Sequence, residues 1–176
     1  MTRFDGTKTE KNLKKALQGE ALARIKYEFY AKQAKKDGFI QIQNILNEIS
    51  NNEKEHAKIW FKILNNDNVP STLLNLMDAE IQECYEYSDM YKTFAKEASD
   101  EGFEDISQKF LQVADIEKTH ASTFENLINQ IKCKTVFSNN KKTIWTCLNC
   151  GYKEENKEAP DECPVCNHPK AYFVKD

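Results

Sequence analysis

The chain has 176 residues, 40% of them hydrophobic and 30% charged, with a net charge of −3. That is enough for one ordinary soluble domain and a small appendage. Acids and bases interleave along it, so no basic surface for nucleic acid is expected, and no apolar stretch reaches the roughly 18 residues of a membrane helix.

The start of the chain, Met1 to Glu10, is polar and does not read as a signal peptide. A cytoplasmic location is therefore expected, where thiols stay reduced and six cysteines point to metal binding before disulfides. From about Thr7 to Cys133 the apolar residues follow a helical period. Asp37-Gly38 and Glu101-Gly102 read as turns, and Asn65 to Ser71, with Pro70, breaks the pattern near the middle. Four helices are expected, near 8–36, 40–65, 76–100 and 103–133.

The helical part repeats at an offset of 64 residues. Tyr27 matches Tyr91, Gly38-Phe39 matches Gly102-Phe103, and Glu53 and His56 match Glu117 and His120. Two duplicated hairpins joined by a longer connection predict a mainly α, ferritin-like four-helix bundle with one crossover.

Two of the three histidines sit three residues after a glutamate, which places each pair on one helix face. Glu20 on the first helix and Glu83 and Glu86 on the third face them. Glu20 lies 18 residues before Gly38 and Glu53 lies 15 after it, while Glu83 lies 19 before Gly102 and Glu117 lies 15 after it. Folding at the turns brings these groups to one level. Two Glu-xx-His motifs with opposing glutamates are the ligand set of di-iron carboxylate bundles, and so many carboxylates need a cation. Glu80 stands about a turn too far away. Tyr27 and Tyr91 either donate hydrogen bonds to ligand carboxylates or serve as core aromatics.

One position breaks the repeat. The equivalent of Glu20 is Cys84, yet the glutamate is at 83. One residue turns a helix by about 100°. Either a π-bulge between Glu83 and Tyr91 absorbs the offset, or flexible glutamate side chains cover it.

After Cys133 the composition changes. Residues 1–136 are expected as the helical domain, 137–143 as a linker and 144–176 as a second module. The module is too small to bury a sufficient core unaided. Cys147 and Cys150 with Cys163 and Cys166 form two CxxC pairs, which complete a tetrahedron around zinc or a single iron. His168 is not needed as a ligand. Cys84 and Cys133 read as ordinary thiols.

Together, Gly19-Glu20, Glu53-Lys-Glu-His56-Ala57, Glu83-Cys-Tyr-Glu86-Tyr87, Glu117-Lys-Thr-His120, Cys147-Leu-Asn-Cys150-Gly151-Tyr152 and Cys163-Pro-Val-Cys166 resemble the rubrerythrins over essentially the whole chain. That family joins a di-iron bundle to a rubredoxin-like domain. The resemblance implies iron at the four cysteines and a two-iron centre held by Glu20, Glu53, His56, Glu83, Glu86, Glu117 and His120. It also implies exchange of Glu86 for His56 at one iron on reduction. The implied activity is peroxidase: hydrogen peroxide is reduced to water in oxidative-stress defence. Electrons would come from a rubredoxin or an NAD(P)H-linked reductase, and the chain would form a head-to-tail homodimer. The alternative is a ferroxidase or oxygen-reducing role in iron handling, which would not need the cysteine module.

Overall fold

The computed structural model describes residues 2–175 and divides after Pro70 into two compact units. The first is a helical hairpin of α1 (Lys8–Lys36) and α2 (Ile40–Leu64). The second holds α3 (Thr72–Tyr85), a π-helical turn (Glu86–Met90), α4 (Tyr91–Asp100), α5 (Glu104–Lys132) and a three-stranded antiparallel sheet. The chain is thus mainly helical with a small C-terminal sheet. No helix among the described residues is long and apolar enough to cross a membrane.

Local signals set the helix ends. The Thr7 hydroxyl accepts from the Glu10 amide at 3.1 Å, and the Glu10 carboxylate reaches back to the Gly6 N–H. The two hairpin turns are copies of one another. Gly38 and Gly102 have φ of 84° and 88°, a left-handed conformation that glycine adopts without a Cβ penalty. Beyond them the amides of Phe39 and Phe103 donate to the carbonyls of Ala34 and Ala98, each at 2.8 Å. The third helix begins at Thr72 rather than near 76, because Ser71 caps it by accepting from the Leu74 amide.

Small residues line the seams inside the hairpins. Ala31, Ala34 and Ser50 are buried in the first, and Ala95, Ala98, Ala114 and Ala121 in the second. Short side chains let the helix axes approach closely. Ser50 also donates its hydroxyl to the Arg24 carbonyl at 3.1 Å.

The π-turn lies where the repeat loses its register. The Tyr91 amide donates to the Glu86 carbonyl, five residues back. Of the two ways to absorb the extra residue, the backbone takes the bulge.

The sheet has the order β2-β1-β3, from β1 (Ser138–Cys147), β2 (Lys153–Glu158) and β3 (Phe173–Lys175). Residues 138–143, expected as part of a linker, belong to β1, which pairs Ser138 with Glu158 and Thr143 with Asn156. The register shifts between those pairs, and the Asn-Asn-Lys-Lys run has little strand preference of its own. Partner strands impose the extended form there. Phe137, also expected in the linker, packs on the module's core of Trp145, Cys147, Ala159, Cys163 and Phe173. Trp145 is fully buried and donates its indole N–H to the Asn156 carbonyl at 3.1 Å.

Candidate metal centres

Three clusters of metal-binding side chains stand out among the described residues. Two are carboxylate–histidine triads, one in each helical hairpin: Glu20, Glu53 and His56, then Glu83, Glu117 and His120. Within each triad the ligand atoms lie within 4.8 Å of one another.

In the first triad, α1 supplies Glu20 and α2 supplies the other two. His56 Nδ1 sits 2.8 Å from Glu53 Oε2, as the three-residue spacing requires. In the second, His120 Nδ1 lies 2.7 Å from Glu117 Oε2 and 3.5 Å from Glu83 Oε2. The repeat frame thus reappears as equivalent chemistry in space.

Glu83 tests whether this cluster suits a cation. Its Oε2 is buried and accepts no hydrogen bond. Burial pushes its carboxyl above the usual range, and the Glu117 carboxylate beside it adds to the shift. A buried carboxylate oxygen that accepts no hydrogen bond and faces a second carboxylate is costly alone and favourable around a metal. The donor set therefore fits one.

The remaining expected residues fall as follows. Glu86 opens the π-turn and stands outside the triad, with Oε1 accepting from the Gln82 amide at 2.8 Å. Gln82 carries no sequence signal beyond its four-residue spacing from Glu86. Glu80 accepts from the Cys84 thiol instead of joining the cluster. Tyr91 packs against Phe94 and Phe110, with ring centroids 6.3 and 6.0 Å away, and Tyr27 packs against Tyr30. Neither hydroxyl makes a hydrogen bond among the described residues. Burial raises the Tyr91 phenol, and the carboxylates of Glu86, Glu117 and Glu83 raise it further.

The third cluster is Cys147, Cys150, Cys163 and Cys166. Two matching turns build it. The amides of Cys147 and Cys163 donate to the carbonyls of Tyr152 and His168, both at 2.8 Å. Gly151 and Asn167, with φ of 76° and 56°, close the turns by donating back to the Cys147 and Cys163 carbonyls. Sγ atoms of Cys147 and Cys166 are 3.8 Å apart, and those of Cys150 and Cys163 are 3.6 Å apart. A tetrahedral site with metal–sulfur bonds of ~2.3 Å has edges of about 3.8 Å. The cage has that size.

Two of the thiols are shifted in opposite directions. The Tyr152 amide draws Cys150 down, but the neighbouring sulfurs outweigh it and push the thiol up to about 12. Burial opposes ionisation of Cys166, yet the His168 amide and the Asn149 side chain hold it down at about 6. His168 stays outside the cage and stacks edge-on against Tyr172.

Both the helical part and the cysteine module match known proteins. The family model described as rubrerythrin matches residues 11–128 and again 74–159, and that of the rubrerythrin rubredoxin-like domain matches 145–174. The chain is 42% identical to rubrerythrin-1 of Clostridium acetobutylicum, with 98% of this chain and 96% of that one covered. It is 40% identical to rubrerythrin of Nitratidesulfovibrio vulgaris and 39% to that of Porphyromonas gingivalis, over 98% and 96% of its length and 96% and 90% of theirs. With family models spanning both sites and relatives spanning its length, the chain belongs to the rubrerythrin family, whose members are iron-binding oxidoreductases.

Proposed function

We propose that this protein is a peroxidase that reduces hydrogen peroxide to water at a two-iron centre, with electrons delivered through an iron at the four cysteines. The observation that carries the reading is the presence, in one chain, of two equivalent Glu–Glu–His triads and a cysteine cage of tetrahedral dimensions.

Peroxide takes up two electrons and two protons, its oxygen–oxygen bond breaks, and two waters leave. Bound iron would supply one electron per metal and polarise the peroxide as a Lewis acid. Glu20, Glu53 and His56, with Glu83, Glu117 and His120, would hold the pair. Glu86 and His56 are the proposed exchanging ligands. Glu86 accepts from the Gln82 side chain in an exposed hydrogen bond, and His56 is half exposed. Tyr91 remains a protonated phenol within electrostatic reach of Glu86, Glu117 and Glu83, so it can hold a proton near those carboxylates.

The cysteine cage supports the electron route. Cys150 reaches the surface, and Leu148 and Val165, one in each CxxC, stand exposed beside the sulfurs. This gives a soluble donor, such as a rubredoxin or an NAD(P)H-linked reductase, an apolar edge at which to dock. A head-to-tail dimer would set one chain's cysteine module near another's two-iron centre. A cytoplasmic setting follows from the reduced thiols this chemistry needs.

The test is anaerobic. Purified protein should carry about three irons per chain, and the reduced form should consume peroxide far faster than oxygen. Zinc at the cysteines, or faster oxidation by oxygen than by peroxide, would contradict the proposal.

A further inference from the structure

Each helical hairpin carries one triad and a set of exposed apolar side chains. On the first, Leu22, Ile25, Phe29, Ile42, Ile45 and Ile49 are 38–60% exposed. On the second, Ile81, Phe94, Ile106, Leu111 and Ile116 are 39–64% exposed. Apolar surface on this scale marks a face that another element covers. Three ligand atoms per triad are also half of what a two-metal carboxylate centre uses.

The connection between the hairpins limits which element that is. In a ferritin-like bundle with one crossover, the second and third helices run parallel, so the link must climb from one end of the bundle to the other. Eight residues of α2 follow His56 and eleven of α3 precede Glu83. With both ligands at one level, a rise of 1.5 Å per residue requires an axial climb of about 28 Å, besides a sideways step of ~8–10 Å. Asn65 to Ser71 are the only residues available. Fully extended, the steps from Leu64 to Thr72 span at most ~26–29 Å.

The link is also far from extended. The amides of Asn65 and Asp67 donate back to the Lys62 carbonyl at 2.9 and 2.8 Å, and that of Asn68 to Asn65 at 3.3 Å. Asn66 and Asp67 are left-handed, with φ of 55° and 62°. Only Val69 to Ser71 continue forward, and the steps from Asn68 to Thr72 reach ~13–14 Å, about half the climb. The capping of α3 by Ser71 opposes unwinding from the other side.

We infer that the two triads sharing one centre come from two copies of this chain, each first hairpin seating its apolar face on the second hairpin of the partner copy. The inference rests on the two-metal reading above. A dimer would then hold two complete centres, each with Glu20, Glu53 and His56 from one protomer and Glu83, Glu117 and His120 from the other. The short link passes between them without crossing a bundle.

Two complementary variants test this. One carries Glu20→Ala, Glu53→Ala and His56→Ala; the other carries Glu83→Ala, Glu117→Ala and His120→Ala. Each is produced alone, then both are co-produced with different tags, and the mixed dimer is isolated and loaded anaerobically with ferrous iron. Exchange predicts two bundle irons in the mixed dimer, beyond those at its cysteines, and none in either homodimer. One centre then has both triads mutated and the other has both intact. A mixed dimer without bundle iron, when the natural chain takes two per protomer, overturns the inference. If the natural chain itself takes no iron at the triads, the two-metal reading fails, and light scattering of the metal-free protein decides the exchange alone. A monomer overturns it. A dimer that becomes monomeric when twelve Gly/Ser residues are inserted after Asn68 supports it.

Discussion

Deleting Asp89 would remove the one extra residue of the π-turn and let α3 and α4 run as a single α-helix. Asp89 is exposed, so its loss leaves packing intact. The bulge absorbs that residue, so Glu83 then stands seven α-helical residues before the tyrosine, as Glu20 stands before Tyr27, and keeps its face toward α5. Deleting the exposed Ser88 as well removes a residue that no bulge absorbs and turns everything upstream by about 100° relative to α4. A carboxylate about 5–6 Å from the helix axis moves ~8–9 Å under that rotation. The ligand atoms of Glu83, Glu117 and His120 lie within 4.8 Å of one another, so the triad cannot survive the double deletion while α4 keeps its packing on α5. The expected result is near-natural metal affinity at this triad for the single deletion. For the double deletion the fall should exceed the ~10–100-fold seen when only a supporting hydrogen bond of a ligand is removed. Iron titration into the metal-free protein measures it. Far-UV circular dichroism should show unchanged helix content, and the four-cysteine site should load normally. Loss of the triad in the single deletion, or full iron loading of the double deletion, would refute the assignment of the π-turn as the device that absorbs the extra residue.

Other outcomes follow from the same geometry. His120→Ala should lower metal occupancy in both oxidation states, whereas His56→Ala should spare the oxidised form and chiefly affect the reduced one; equal losses by metal analysis would contradict ligand exchange. Cys163→Ser should abolish turnover with a protein electron donor yet leave a chemically reduced bundle able to consume peroxide once, and stopped-flow mixing separates the two. Loading zinc into the metal-free cysteine cage at pH 7 should release protons, because Cys150 is still a thiol there. Affinity should fall as pH falls, more steeply below about 6 where Cys166 also becomes protonated, and calorimetry in buffers of different ionisation enthalpy reads both effects. Gly102→Ala should cost ~1–2 kcal/mol through the left-handed backbone alone, since a Cβ there meets no atom within 4 Å. Thermal melting should show a drop of a few degrees.

Local chemistry carried much of this protein in its sequence. A glycine that needs positive φ ends a helix wherever it falls, so Gly38 and Gly102 marked both hairpin turns. Helical spacing of three puts Glu53 with His56 and Glu117 with His120, and CxxC spacing folds each cysteine pair around one point. Even the π-turn left a trace, because a duplicated chain whose ligands differ by one residue must absorb that residue somewhere. Tertiary structure decided what depends on partners distant in the chain. Residues 138–143 looked like a linker because no strand preference shows in Asn-Asn-Lys-Lys, and only pairing with β2 makes them part of β1. Glu86 had the same composition-level claim on the metal as Glu83, but in the fold Glu86 pairs with Gln82 while Glu83 is buried beside Glu117. Spacing along a chain sets which side chains share a face; where an orphaned carboxylate ends up depends on what the fold packs around it.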